Sequence, residues 1–104
     1  MSRKRYRIQI LPTYESDLYE AAKYIKDVLK NQTAAEKLVT DIEQAISNRA
    51  FSPLMVKPYP TKRKRKQAYY PIYVRNYIVF YVVIDNVMEI RRLIYKKRNI
   101  DNIL

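Results

Sequence analysis

The apolar and polar positions of the chain follow two different periods, and the first segment has the period of a strand. Residues 5–11 alternate, with Tyr6, Ile8 and Ile10 on one face and polar side chains on the other. A period of two is typical of a half-buried β-strand. Pro12 cannot donate a hydrogen bond to a neighbouring strand, so the strand should end before it.

Helical spacing replaces the alternation after Pro12. Thr13 is a suitable N-cap, and Glu15 and Asp17 place negative charge at the positive end of the helix dipole. The apolar stripe of this helix recurs every three or four residues and reaches about Lys30. Its members are Leu18, Ala21 or Ala22, Ile25, and Val28 or Leu29.

A second helix is predicted from Thr33, because residues 33–36 read Thr-Ala-Ala-Glu, the pattern of a capping box. Its apolar face consists of Ala35, Leu38, Val39, Ile42, Ala45 and Ile46. The connection of residues 30–32 is short, so the two helices should form an antiparallel hairpin. Both stripes are interpreted as core.

Residues 51–67 interrupt this regularity with three prolines and a run of five basic residues, Lys62 to Lys66, here called the basic loop. We expect an exposed loop. Three strands rich in Tyr, Ile and Val should follow, at Ala68–Val74, Tyr77–Ile84 and Val87–Tyr95. The pairs 75–76 and 85–86 are predicted two-residue turns, in which Asn tolerates a positive φ in the absence of glycine.

The order of these elements predicts an α+β fold, β-α-α-β-β-β, in which an antiparallel sheet carries an α-helical hairpin on one face. Residues 1–104 should form a single domain. Strand parity predicts what the other, open face shows. Two sets should lie there: Tyr69, Pro71, Tyr73 and Arg75, and Glu89, Arg91, Leu93 and Tyr95, whereas Arg92 has the opposite parity.

Composition excludes several classes of chemistry. The chain has no Gly, Cys or His, and eleven tyrosines. Transition-metal centres, imidazole-based triads, thiol nucleophiles and disulfides depend on the missing residues. Phosphate-binding loops of the Walker or dinucleotide type require glycine. We therefore expect neither a metal site nor a cofactor.

The positive charge is concentrated in the second half of the chain. Of the net +11, residues 1–50 carry +2 and residues 51–104 carry +9. Such asymmetry favours a polyanion or an acidic protein as partner over a merely solvated surface. Membrane-spanning segments need about 20 apolar residues, and the N-terminal apolar run is too short for a signal peptide. A cytoplasmic location is expected.

Cations interleaved with tyrosines on a sheet are typical of an RNA-binding surface, because cations hold phosphates and aromatic faces stack on unpaired bases. The candidate RNA-binding residues are Lys62, Arg63, Lys66, Tyr73, Arg91 and Arg92.

Metal-free cleavage of RNA would also need a base, an acid and fixed positive charges. Like-charge repulsion lowers the pKa of a crowded lysine, so Lys64 or Lys97 could transfer a proton, as could the phenol of Tyr95. The candidates for phosphate contacts are Arg65, Arg75 and Arg98. From the residues alone, binding is favoured and catalysis stays open.

The order of elements and several motifs resemble the RelE/ParE superfamily of bacterial toxins from type II toxin–antitoxin systems. The resemblance covers nearly the whole chain and rests on residues 17–18 and 24–25, the segment Asn-Tyr-Ile-Val-Phe-Tyr at 76–81, and above all Arg-Leu-Ile-Tyr-Lys-Lys-Arg-Asn-Ile at 92–100. It implies a toxin inhibited by an acidic antitoxin that folds on binding. RelE-like members cleave messenger RNA on the ribosome, and ParE-like members inhibit DNA gyrase without cutting RNA.

Within this resemblance, Tyr95 occupies the position of a His or Tyr, Lys97 and Arg98 that of a basic pair, and Arg92 that of a strand arginine. The basic loop lies where RelE-like members keep catalytic cations. Tyr70 and Pro71 replace an arginine that many members carry. The prediction is an mRNA endoribonuclease whose catalytic residues are Lys64, Arg65, Arg75, Tyr95, Lys97 and Arg98. A gyrase inhibitor, an attenuated toxin and a plain RNA-binding module are the alternatives.

Overall fold

The computed structural model describes residues 4–62 and 65–104, which form a four-stranded sheet with a layer of helices. In chain order the elements are β1 (Arg7–Ile10), α1 (Pro12–Lys23), one π-helical segment (Tyr24–Val28), α2 (Gln32–Arg49), β2 (Tyr70–Val74), β3 (Tyr77–Ile84), β4 (Val87–Tyr95) and α3 (Ile100–Ile103). The α+β class and the order of the first six predicted elements are confirmed, and a short C-terminal helix is added.

The sheet is mixed, so the prediction of an antiparallel sheet is wrong for one strand. The strand order is β1-β4-β3-β2. The last three strands form an antiparallel meander, whereas β1 pairs in parallel with β4, Arg7 opposite Val87 and Ile10 opposite Ile90. Strand periodicity does not show whether two strands pair in parallel or antiparallel. Here the helical hairpin carries the chain from β1 at one edge of the sheet to β2 at the other edge, and the meander from β2 to β4 then ends beside β1 in parallel.

The helical hairpin forms as predicted, with different ends. The first helix begins at Pro12, so Thr13 lies inside its first turn and not at the N-cap. The second helix is capped by Asn31, whose Oδ1 accepts a hydrogen bond of 3.0 Å from Ala34 N, and not by Thr33. Lys30 adopts a φ of 54° and Asn31 a φ of −135°, so both residues lie outside helical geometry and separate the two helices. Asn caps helices at least as well as Thr, so the earlier start is favoured.

The π-helical segment turns the end of the first stripe away from the core. Leu29 N donates to Tyr24 O over five residues, which inserts one extra residue into the helical turn. As a result Val28 and Leu29 are 61 % and 56 % exposed, although the periodicity predicted one of them to be core. Ile25 still packs against the core.

The main core lies between the helices and one face of the sheet, here called the helix face. Each large apolar side chain buried there contributes about 1.5–3 kcal/mol. The core residues include Tyr14, Leu38, Ile42, Ile46, Ile72, Val79, Tyr81, Met88, Ile90 and Leu93. The predicted core face of the second helix is thereby confirmed at its four buried members, Ala35, Leu38, Ile42 and Ile46.

The other face, here called the second face, is not open as predicted. Ile78, Phe80 and Ile94 are buried there beneath Ile100 of α3. The ring of Tyr59 meets Phe80 edge-on, with centroids 5.0 Å apart. A small second core therefore covers much of the surface that parity had assigned to a partner.

A β-bulge at Arg91 explains why parity fails along β4. Phe80 pairs with Arg92, but the next residue, Tyr81, pairs with Ile90, so Arg91 is the extra residue. Glu89 and Arg91 lie on the second face as predicted. Beyond the bulge the side chains of β4 lie on the faces opposite to those predicted. Leu93 and Tyr95 lie on the helix face, and Arg92 lies on the second face. The predicted grouping of Leu93 and Tyr95 with Glu89 is wrong for this reason.

The two hairpin turns form at the predicted pairs, but their first residues adopt the positive φ. Arg75 has a φ of 55° and Asp85 a φ of 56°. The asparagines that follow were expected to take this conformation. In a chain without glycine, charged residues therefore occupy backbone positions that glycine fills at lower cost.

Candidate functional site

The predicted catalytic residues that follow the strands meet at one end of the sheet, here called the turn end. Lys96 N donates to Asn76 O at 2.9 Å, which joins the β2–β3 turn to the end of β4. Arg98 N donates to Tyr95 O at 3.0 Å, so residues 95–98 form a tight turn there. Of the predicted set, Arg75, Tyr95, Lys97 and Arg98 are thus gathered at the turn end, and all four are exposed.

Arg75 is bound by a carboxylate of the helical layer. Its Nη2 lies 2.5 Å from Asp41 Oδ2, and Lys37 Nζ lies 3.6 Å from the same oxygen. The hydrogen bond from Arg75 is the main reason why the pKa of Asp41 is below its usual value. Arg75 therefore has a carboxylate partner within the chain, which it shares with Lys37.

Tyr95 stands against another tyrosine. Its ring meets Tyr77 edge-on, with centroids 5.6 Å apart, and 36 % of Tyr95 is exposed. Burial, and then the neighbouring Tyr95 and Tyr24, raise the pKa of Tyr77. Tyr95 therefore packs on the helix face and keeps part of its ring exposed at the surface.

The second face carries a stack of two guanidinium groups on one phenol ring, here called the Arg65–Tyr69–Arg91 stack. Arg65 Cζ lies 5.6 Å from the ring centroid of Tyr69, and Arg91 Cζ lies 5.7 Å from it. Arg91 also donates to Tyr69 Oη at 3.1 Å and to Glu89 Oε1 at 2.8 Å. Burial opposes the charge of Arg91, but these hydrogen bonds outweigh it and raise the pKa of the guanidinium.

Arg92 is also bound within the chain. Its Nε and Nη2 donate to the two oxygens of Asp17 at 2.7 and 3.0 Å, and Leu93 N donates to Asp17 at 3.0 Å. The hydrogen bond to Asp17 is the main cause of a raised pKa of Arg92. Asp17 thereby closes the edge of β4 where β1 has ended.

Lys62, the first residue of the basic loop, lies beside α3. Lys62 N donates to Asp101 Oδ1 at 3.3 Å, and Tyr59 N donates to Tyr69 O at 2.7 Å. Burial, and then Tyr73 and Asp101, raise the pKa of the Tyr59 phenol. Lys62, Lys66 and Tyr73 are exposed. The predicted residues Arg63 and Lys64 lie outside the described residues.

The predicted site residues that the structure describes thus lie in different places. Arg75, Tyr95, Lys97 and Arg98 lie at the turn end, whereas Arg65, Arg91, Arg92 and Tyr73 lie on the second face. Lys62 and Lys66 belong to the basic loop. Their roles stay predictions.

Sequence reasoning gave no site role to the carboxylate partners Asp17, Asp41 and Glu89 or to Tyr69. Strand parity did place Tyr69 and Glu89 on the same face as Arg91, whereas nothing in the sequence linked Asp17 to Arg92 or Asp41 to Arg75.

Comparison with known proteins adds the family. Residues 8–100 match the family described as the ParE toxin of type II toxin–antitoxin system, parDE. No individual curated protein matches the chain. Within residues 4–62 and 65–104, none of the helices has the length and apolar character needed to cross a membrane. The match covers far more than half of the 104 residues and confirms the RelE/ParE resemblance, so the chain belongs to the ParE toxin family of type II toxin–antitoxin systems.

Proposed function

We propose that this toxin acts by binding DNA gyrase and not by cleaving messenger RNA. The observation that carries the proposal is that three arginines of the sheet region are paired with carboxylates of the same chain: Arg75 with Asp41, Arg91 with Glu89, and Arg92 with Asp17. Transition-state stabilisation needs fixed charges that point at the reacting phosphate. A guanidinium already bound to a carboxylate offers less of this charge than a free one.

The spacing of the remaining candidates supports the same conclusion. A nuclease needs a base and an acid within hydrogen-bond reach of one phosphate. Arg65 is stacked on Tyr69 on the second face, whereas Tyr95 faces Tyr77 on the helix face at the turn end. An inhibitor that binds a protein needs only a complementary surface, and the exposed turn from Lys96 to Arg98 offers one.

Family membership implies an antitoxin as partner. We propose that it is acidic, since the toxin carries a net charge of +11. We further propose that residues 1–104 form one domain that acts in the cytoplasm.

A supercoiling assay with purified gyrase tests the proposal. Addition of the protein to relaxed plasmid, gyrase and ATP should abolish the supercoiled product. The double variant Lys97→Gln, Arg98→Gln should inhibit at least tenfold more weakly, because it removes two exposed charges at the turn end. The matched double variant Lys4→Gln, Arg7→Gln should inhibit like the wild type, since Arg7 N bonds to Asn86 O at the opposite end of the sheet. Undiminished supercoiling at an excess of wild-type protein would contradict the proposal.

An endoribonuclease is the second candidate, because Arg75, Tyr95, Lys97 and Arg98 do lie together at the turn end. It predicts new 5′ ends in translated messages, mapped by primer extension after induction. Tyr95→Phe should then lower the cleavage rate at unchanged binding, because it removes a proton-transfer group. Arg98→Ala should weaken both binding and rate and reduce the salt dependence of binding.

A further inference from the structure

We propose that an apolar patch at the tip of the helical hairpin docks into an apolar pocket of DNA gyrase. The patch consists of Tyr24, Val28 and Leu29 and is here called the hairpin-tip patch. The inference rests on the proposed function and deepens it, because it adds an apolar centre to the charged contact surface at the turn end.

The hairpin-tip patch is exposed because of the π-helical segment. Tyr24 is 52 % exposed, and Val28 and Leu29 are more exposed still. Since Leu29 N donates to Tyr24 O, the three residues belong to one widened turn. The extra residue of this turn brings to the surface an apolar side chain that regular helical spacing would bury. Single π-helical turns occur frequently at functional sites, so the exposure indicates a contact made by these side chains.

The hairpin-tip patch adjoins the turn end of the sheet. Tyr24 lies close enough to Tyr77 to help raise the pKa of that phenol, and the ring of Tyr77 meets the ring of Tyr95. Asp41 of α2 binds Arg75 in the β2–β3 turn, so the second helix of the hairpin also reaches the turn end. The three tyrosines therefore link the hairpin-tip patch to the exposed basic turn of residues 96–98.

The chemistry of this surface fits a protein partner. Apolar side chains that are exposed together mark protein interfaces, in which an apolar centre is surrounded by a polar rim. Val28 and Leu29 offer neither charge to a phosphate nor a ring to a base. The exposed Lys26 and Lys30 lie on the same segment, in which Asp27 is the one carboxylate, and residues 96–98 add three further cations. The pocket of gyrase that receives the patch should therefore be apolar and bordered by acidic side chains.

Binding to immobilised gyrase, measured by biolayer interferometry at several salt concentrations, tests the inference. The double variant Val28→Thr, Leu29→Gln keeps the charge and the approximate size of both side chains and removes apolar surface. It should dissociate from gyrase at least about tenfold faster, because the lost apolar contacts act mainly on the dissociation rate. Its salt dependence should equal that of the wild type, whereas Lys97→Gln, Arg98→Gln should reduce the salt dependence and slow association.

Leu54→Gln, Met55→Gln is the matched control. Both side chains are exposed, at 52 % and 81 %, and the preceding Pro53 O accepts a hydrogen bond from Tyr81, which lies on β3 four positions beyond the turn end. This variant removes apolar surface away from the hairpin-tip patch, so it should bind and inhibit gyrase like the wild type. Circular dichroism should show the same fold for all variants, because each substitution replaces exposed side chains.

Two results would overturn the inference: a dissociation rate of the Val28→Thr, Leu29→Gln variant equal to that of the wild type, or an equal increase for the control variant. A wild-type dimer in analytical ultracentrifugation that this variant converts to monomers would also overturn it, because a second copy would then cover the patch. If wild type and variant inhibit supercoiling equally well, this inference fails alone. If the wild type neither binds nor inhibits gyrase, the proposed function fails with it.

Discussion

The contact between Asp17 and the end of β4 should be the most sensitive polar interaction of the fold. Asp17 accepts three hydrogen bonds, two from Arg92 and one from Leu93 N, at 2.7–3.0 Å. The two side chains are only 17 % and 27 % exposed. Asp17→Asn keeps the shape but removes the charge, so one donor of Arg92 loses its acceptor. Hydrogen bonds to charged groups contribute about 1.5–3 kcal/mol, and partial exposure lets water replace some of this, so we expect a loss of about 2 kcal/mol.

Equilibrium urea denaturation followed by circular dichroism measures this loss. Asp27→Asn is the matched control, an exposed aspartate of the same helical layer, and should change the free energy of unfolding by less than about 0.5 kcal/mol. In a double-mutant cycle with Arg92→Gln, the two losses should not add, because both variants remove the same interaction. If Asp17→Asn costs no more than Asp27→Asn, the carboxylate does not hold the end of β4 and the reasoning fails.

Three further predictions concern titration and backbone conformation. Burial, and then the negative charge of Glu43, raise the pKa of Tyr14 from 10.0 to about 12. The raised pKa contributes stability that is fully present below pH 10. This contribution is lost as the pH rises towards 12, by at most about 1.4 kcal/mol per pH unit. Tyr14→Phe should flatten this alkaline loss in urea titrations at pH 9–12, and an unchanged pH profile would contradict the assignment. Lys30→Gly should raise the free energy of unfolding by up to about 1 kcal/mol, because Lys30 has a φ of 54°, which glycine adopts at lower cost. Lys26→Gly, inside the π-helical segment, is the control and should lower the free energy of unfolding by a similar amount. Effects of equal sign would refute the argument. Arg75→Gln should raise the pKa of Asp41 towards 3.8 in an NMR titration, since the bond from Arg75 is the main cause of the lowered value; an unmoved pKa would mean that this ion pair does not form in solution.

Regular periodicity predicted the elements well where one face is buried. The strands Tyr77–Ile84 and Val87–Tyr95 have the predicted bounds, and the second helix buries the predicted stripe. The N-cap of the second helix is Asn31 and not the predicted Thr33. Both residues are good caps and lie two positions apart, so sequence alone does not choose between them.

The candidate site was less predictable, because it depends on one bulge and on long-range pairs. No glycine or proline marks the bulge at Arg91, yet this bulge moves Tyr95 to the helix face and Arg92 to the opposite one. Asp17 and Arg92 are 75 positions apart in the chain, so their ion pair leaves no local signal. Charge counting identifies the basic half, but only the structure shows which of its cations are paired with carboxylates.

Plasmid topology in the first minutes after induction of the toxin tests the central claim most directly. A reporter plasmid is resolved on chloroquine gels while the 5′ ends of a translated message from the same cells are mapped. The account predicts that negative supercoils are lost while the message stays intact. A fully supercoiled plasmid together with newly cut message would contradict it, and would place the activity in Arg75, Tyr95, Lys97 and Arg98 at the turn end.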